Sequence, residues 1–507
     1  MLKFRKVILI MTDTQRWDMC GCYRDTGLKT PHIDRLAKNG VRFERAYTTQ
    51  PVCQPARAGI FTGQYPHSCA SWSNSMGISD NTLTLGQRLG DDGVHTAYIG
   101  KWHLDGSDYF GMGKCPPGWD PKYWYDMRCY LEELTKEQRL ESRNTDYMLE
   151  HDYPAELTFG HRCADRAENF LENHGKEDFF LAVSFDEPHD PSMCPKPYSE
   201  MYRDFIFPKS PNVFDDLKNK PDFQRAWAGD RLYEDKESLV VNNWSLFGCN
   251  SFVDTQIGRV IDAASRFAPD AMIIYTSDHG DFLHSHSLSG KGPAAYDEIT
   301  RIPFIIAGNG IPEGVVGINP VSHINIAPTI MEVMGCNIPK TMDGKSLVTE
   351  LENPSDPAKA TNKHVFIEFA RYEVDHDGFG GFQPMRSVFD GRYKFTVNLL
   401  SSDELYDLEA DPYEMENLIE NPQYITIRND LHNTLLDHLN DTRDPFRGYY
   451  WERRPWRTDA REATWPYTGM TRQREEDTRY EKRQLDYNTG IEMEQAVRGK
   501  TFHRAKK

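Results

Sequence analysis

The residue types best suited to chemistry in this chain sit in a few short stretches. Cys53-Gln54-Pro55-Ala56-Arg57 sets a thiol one helical turn ahead of a guanidinium. Gly100-Lys101-Trp102-His103 pairs an ammonium with an imidazole, Glu187-Pro188-His189-Asp190-Pro191 holds a second imidazole among carboxylates, and Ser289-Gly290-Lys291-Gly292 carries a second ammonium. Asp13 and Asp278-His279 add two carboxylates and a third imidazole. Together these offer a nucleophile, fixed positive charge and groups that titrate near neutrality. Taken singly, each stretch has a plainer explanation. Cys53 reads as a buried cysteine before a helix with Pro55 in its first turn, Asp13 as a helix cap, His279 as a satisfied loop histidine and Lys291 as a surface lysine.

What would bring them together is the order of the elements. Apolar, β-branched runs at 7–11, 96–99, 179–185, 272–276 and 303–307 lack strict alternation and read as strands buried on both faces. Helical spacing falls between them, at Ile33, Leu36 and Ala37, at Ala164, Ala167, Phe170 and Leu171, and over 252–267 at Val253, Ile257, Val260, Ile261 and Ala264. Such alternation predicts an α/β fold, a mostly parallel sheet sandwiched by helices. Ligands of these sheets bind beyond the carboxyl ends of the strands. Asp13, Lys101, His103, Asp186, His189, Asp278 and His279 all follow predicted strands, so they should converge on one rim.

From about residue 364 the pattern changes to short strands at 365–369, 386–389 and 393–397, with a tight Asp390-Gly391 hairpin turn and a closing helix at 425–439. The expected organisation is a catalytic domain over 1–363, an α+β subdomain with a small antiparallel sheet over 364–440, and an extended tail rich in Arg and aromatics over 441–507. The aromatic stretch 109–153, with Pro116 and Pro117, reads as an insertion near the rim. A net charge of −18 opposes non-specific attraction to nucleic acid or an anionic membrane, so an anionic substrate would need local cations. The apolar run at 7–11 is too short for a signal-peptide core or a membrane span, and a cytoplasmic protein is expected. Ten scattered cysteines give no disulfide framework in that compartment.

Two of the stretches carry a family resemblance. Residues 53–57, closed by Thr62-Gly63, resemble the signature of the formylglycine-dependent sulfatases of the alkaline phosphatase superfamily, with Ala56 where Ser is usual. Residues 93–103 resemble the second signature, a strand ending in Gly-Lys followed by His. The likeness extends to about residue 420 and is nearest to bacterial sulfatases without a signal peptide. It implies an alkaline phosphatase-like mixed sheet and hydrolysis of a sulfate monoester, on a carbohydrate by the family's habit. Dedicated formylglycine-generating machinery would oxidise Cys53. One hydroxyl of the hydrated aldehyde would attack sulfur, and loss of a proton from the other would then expel sulfate.

By the same resemblance, Asp13, Cys53 as formylglycine, Asp278 and His279 would hold one Ca²⁺, with Mg²⁺ or Mn²⁺ as alternatives. Arg57, Lys101 and Lys291 would balance the charge of the sulfate. His189 and Lys291 fall to the leaving group, His103 to proton removal, and Asp278 to activating the diol as well as ligation. Thr14 stands where the family often has a second Asp, which implies a smaller ligand set. The loop 371–386, with His376, Asp377 and Arg386, has a counterpart in these sulfatases and is expected, with Thr14, at the substrate. The implied partners are a small-molecule or saccharide sulfate ester and the maturation machinery; a homo-oligomer is allowed. The alternative reading is a phosphonate monoester or phosphodiester hydrolase with the same nucleophile. A catalytically inactive anion binder is opposed by the joint presence of Cys53, Arg57, Lys101, His103 and Asp278.

Overall fold

Strand β1 (Lys6–Thr12) sends alternate side chains into two separate cores. Val7, Leu9 and Met11 join one cluster with Ile60, Phe61 and Ile330, while Ile8 and Ile10 join another with Ile33, Phe170 and Ile257. A strand apolar at every position is therefore covered on both faces, as its unbroken run required. In the computed structural model, which describes residues 2–106, 109–372, 382–460, 487 and 489–491, β1 lies inside a seven-stranded sheet. The other strands are β2 (Gly40–Phe43), β3 (His95–Gly100), β4 (Phe179–Ser184), β5 (Met272–Ser277), β6 (Phe304–Ala307) and β7 (Val315–Gly317), in the order β3-β4-β1-β5-β6-β2-β7. Strands β3, β4, β1 and β5 are parallel neighbours, with Leu9 opposite both Ala182 and Ile274. Strand β6 runs antiparallel to β5 and β2, which makes the sheet mixed.

Helices α1 (Pro31–Lys38), α3 (Phe159–His174) and α4 (Trp244–Phe267) cover one face; α2 (Cys53–Thr62) and α5 (Ile326–Val333) cover the other. The periodicity over 252–267 predicts only the later part of α4. Its earlier turns are buried all round and carry no apolar stripe. Asn243 caps them through its side chain, which accepts from the Leu246 N–H at 3.3 Å. Strands β2, β7 and the C-terminal Glu404–Asp407 strand were not expected either, each too short to show a pattern.

The C-terminal sheet is antiparallel throughout, with β8 (Val365–Phe369), β9 (Met385–Phe389), β10 (Tyr393–Asn398) and β11 (Glu404–Asp407) in sequential order. Gly391, at φ +103°, makes the turn between β9 and β10, and helix α6 (Ile425–Asp441) packs against those two strands. The chain divides into two compact units, Met1–Arg447 and Gly448–Lys507, and both sheets lie in the first. Among the described residues no helix is long and apolar enough to cross a membrane.

Candidate active site

The carboxyl ends of β1, β3, β4 and β5 lie side by side, and the polar residues behind them meet there. Two glycines make this possible. Gly100 ends β3 at φ +118°, and a Cβ on it would stand 1.9 Å from the Ser184 carbonyl oxygen, so only glycine lets the chain cross β4 and present Lys101. Gly63 ends α2 at φ +66°, its N–H donating to the Gly59 carbonyl at 2.9 Å, which accounts for the Thr-Gly that closes the first stretch. At the other end of α2, Cys53 is the first helical residue, and the neighbouring Gln54 N–H donates to Asn74 Oδ1 at 3.0 Å. The positive end of a helix therefore lies beside the thiol.

Asp13, Cys53, Asp278 and His279 are all buried, and one ligand atom from each lies within 4.8 Å of the others. Cys53 Sγ is 3.2 Å from His279 Nε2 and 3.6 Å from Asp13 Oδ1; His279 Nε2 is 3.6 Å from Asp278 Oδ1. The His279 Nδ1 lies 2.9 Å from the Gly280 carbonyl, which only accepts, so the proton is on Nδ1 and the Nε2 lone pair faces the cluster. Burial and the charge of Asp13 push the Asp278 carboxyl up to about 7. Two buried carboxylates and an imidazole lone pair that converge in this way fit a divalent cation, which would relieve their mutual repulsion.

Positive charge frames this set. Arg57 is fully buried, with Nε 3.1 Å from Asp278 Oδ2, Nη2 3.1 Å from Asp13 Oδ2, and Nη1 bonded to the Lys101 carbonyl and Ser184 Oγ. Lys101 Nζ is 2.7 Å from Asp13 Oδ2 and 3.0 Å from Asp186 Oδ1. Lys291 Nζ is 2.7 Å from Cys53 Sγ, 2.9 Å from His279 Nε2 and 3.4 Å from His189 Nε2. Burial and Asp13 push the Cys53 thiol up, yet the ammoniums of Lys291 and Lys101 outweigh them, and the thiol lies well below its ordinary range. Burial holds the His103 imidazole below its ordinary value. For His189, burial and the two lysines push down, while Asp13 and Cys53 more than reverse this, so its imidazole is raised. Thr14 and His103 both take left-handed backbone conformations, at φ +64° and +55°, a strain often held at functional sites.

Eleven of the residues singled out from the sequence thus come together: Asp13, Thr14, Cys53, Arg57, Lys101, His103, Asp186, His189, Asp278, His279 and Lys291. Thr14 Oγ1 donates to Asp13 Oδ1 at 2.7 Å and its N–H reaches Asp278 Oδ1 at 3.2 Å, and His103 neighbours Cys53. Arg386 does something else. On β9 it pairs through Nε with Asp444 Oδ2 at 2.6 Å and Glu368 Oε2 at 3.4 Å, and its Nη1 donates to the carbonyls of Phe369 and Met385. His376 and Asp377 lie outside the described residues.

The structure adds Tyr109 and Tyr372 to the site and gives Asp186, expected at the rim, its partners. Tyr109 donates its hydroxyl to Asp186 Oδ1 at 2.6 Å and lies 3.1 Å from His189 Nδ1, and Lys101 stands over its ring at 4.0 Å. Asp186 anchors both Lys101 and that hydroxyl. Tyr372 lies near Lys291. The aromatic insertion expected near the rim was the signal for Tyr109; nothing local marked Tyr372.

Comparison with known proteins agrees with this geometry. The sulfatase family model matches residues 5–336, and a model described as N-sulphoglucosamine sulphohydrolase, C-terminal, matches residues 292–441. The chain is 42% identical over 498 residues to the uncharacterized sulfatase YidJ of Escherichia coli (strain K12), with 97% of each chain covered. Its fold is similar to that of BT4656, solved in complex with its substrate D-glucosamine-2-N,6-O-disulfate, at TM-score 0.69 and 22% identity over 88% of this chain and 99% of that one. It is also similar to the phosphonate monoester hydrolase of Agrobacterium radiobacter, at TM-score 0.70 and 22% identity over 86% and 96% of the two chains. With the family model spanning most of its length and a full-length relative at 42% identity, the chain belongs to the sulfatase family, and it is a sulfuric ester hydrolase.

Proposed function

We propose that the protein hydrolyses a sulfate monoester of a saccharide, with formylglycine made from Cys53 as nucleophile and one divalent cation of the calcium type. The carrying observation is the placement of Cys53 Sγ, at a helix N-terminus, 2.7 Å from Lys291 Nζ and within the Asp13, Asp278 and His279 cluster. Those three residues and the oxygen of oxidised residue 53 would hold the cation, which would supply positive charge to a sulfate oxygen. Hydrated residue 53 would supply the attacking hydroxyl.

The chain's own residues set up the rest. Arg57 turns Asp13 and Asp278 toward one point, with four of its five N–H groups on protein oxygens, which makes it a positioning residue. Lys291 carries its charge to residue 53 and lies beside His189. His189, with its raised pKa, holds a proton at Nε2 for the departing alcohol oxygen. His103, held neutral by burial, is suited to take a proton from residue 53. The saccharide is supported by the named substrate of BT4656.

Mass analysis of the peptide bearing Cys53 tests the nucleophile: an aldehyde in place of the thiol is expected in active protein, and a fully active enzyme carrying only the thiol would sink the reading. Chelation should lower turnover by about 100-fold and added Ca²⁺ should restore it. Faster hydrolysis of a phosphonate monoester than of any sulfate ester would replace this reading with the phosphonate one.

A further inference from the structure

At the end of β3 away from the catalytic rim lies a second group of metal-ligating side chains. His95 is the first residue of β3, His174 the last of α3, and Glu177 stands in the turn into β4. One ligand atom from each lies within 4.8 Å of the other two. Glu177 Oε2 is 2.9 Å from His174 Nδ1 and 3.6 Å from His95 Nδ1. The outer nitrogens are already held, His95 Nε2 at 2.8 Å from Asp120 Oδ2 and His174 Nε2 at 2.8 Å from the Tyr123 hydroxyl.

These contacts fix the chemistry of the inner face. A carboxylate only accepts, so His95 gives its Nε2 proton to Asp120 and a neutral ring leaves a lone pair on Nδ1. That lone pair faces the anionic oxygen of Glu177, an arrangement that repels unless positive charge lies between them. By the same rule His174 Nδ1, 2.9 Å from that oxygen, gives it a proton while no ion is bound. A divalent ion that displaces this proton, as ligation by imidazole requires, would bring both Nδ1 atoms and the carboxylate to one charge centre. The rings are also fixed in place. Phe170 packs against both, at 5.3 and 5.1 Å between centroids, and Tyr123 meets His174 edge-on at 5.2 Å.

We propose that His95, His174 and Glu177 form a second metal site, for a borderline divalent cation of the zinc class, with solvent completing its shell. Two imidazoles and one carboxylate suit Zn²⁺ and not Ca²⁺, which takes oxygen ligands. Asp120 and Tyr123 are the outer partners that orient ligating histidines. The side chains are 24%, 19% and 56% exposed, so the ion enters from solvent. The site lies about 17 Å from the rim, the length of β3. It would tie β3, α3 and the turn into β4 together, and an ion bound only by the folded state stabilises it.

Crystals of the Ca²⁺-loaded enzyme soaked in Zn²⁺ should show an anomalous peak bonded to His95 Nδ1, His174 Nδ1 and Glu177. In equilibrium dialysis with Zn²⁺, His174→Gln should bind one equivalent fewer than the wild type, and Asp120→Asn should bind that ion about 10- to 100-fold more weakly. Sulfate-ester turnover should be unchanged in both variants, with circular dichroism confirming their fold. A soaked crystal without that peak, or a folded His174→Gln protein with wild-type zinc stoichiometry, overturns the site. Either result leaves the sulfatase chemistry at Cys53 untouched, and if the variant does not fold, the soaked crystal alone decides.

Discussion

At the catalytic rim, Asp13 and Asp278 share one guanidinium, Lys291 points at a thiol, and burial with Asp13's charge lifts the Asp278 carboxyl to about 7. In the C-terminal sheet, Glu368 meets His67 at 2.7 Å and Arg386 at 3.4 Å, and Arg386 meets Asp444 at 2.6 Å. Burial alone would push Glu368 up, but His67 and Arg386 hold it down at about 2. Both regions take charge out of water, at a cost of several kcal/mol per ion. The sheet completes its pairing within the fold. The rim leaves like charges facing one another, a pattern that a bound cation and a sulfate anion would complete. On the proposed function, buried charge is structural in one place and held for ligands in the other.

The distinction can be broken first at Cys53. Cys53→Ala should lower sulfate-ester turnover by at least about 10⁴-fold while the thermal melt stays near that of the wild type. Residual activity close to the wild type would remove the rim's special status. The opposite profile is expected of Lys394→Met. Lys394 Nζ is buried between Asp297 at 2.6 Å and Glu414 at 3.0 Å, so its loss should cost about 3–5 kcal/mol in denaturant unfolding. The kcat/KM of the folded fraction should not change; a fall of tenfold or more would show that the C-terminal network reaches the chemistry.

The smallest effect is a pH dependence of stability. Glu368 sits at about 2 against an ordinary 4.5, so its contribution is complete above about pH 4.5 and is lost as pH falls toward 2. The whole shift is worth roughly 3 kcal/mol. His67 is raised above its ordinary 6.5, so its share is complete below that value and is lost as pH rises through the folded-state pKa. Melting curves of wild type and Glu368→Gln should therefore differ most between these limits and converge in acid; parallel curves at every pH would sink the argument.

Much of the rim was legible because the signals are local. The runs behind which Asp13, Lys101, His189 and Asp278 stand became β1, β3, β4 and β5, and Cys53 and Arg57 share one helix. Arg386 was expected at the substrate because the region 371–386 has a counterpart in the family, although a strand was also predicted from it; β9 turns its guanidinium to Asp444. Tyr109 was foreseen only as part of an aromatic insertion near the rim, and Tyr372 not at all, because an aromatic residue in a loop looks alike whether it covers a catalytic lysine or a patch of surface.

The sequence by itself determined which segments are buried on both faces, where strands give way to polar residues, and which thiol lies at the head of a helix. These follow from periodicity and from turn chemistry, which depend on near neighbours along the chain. Strand order and side-chain direction were decided only in three dimensions. Arg57 reaches Asp278 across 221 positions, and His95, His174 and Glu177 meet only because β3 and β4 are adjacent. Contacts of that kind depend on packing between distant segments, which leaves no mark on the local pattern of either one.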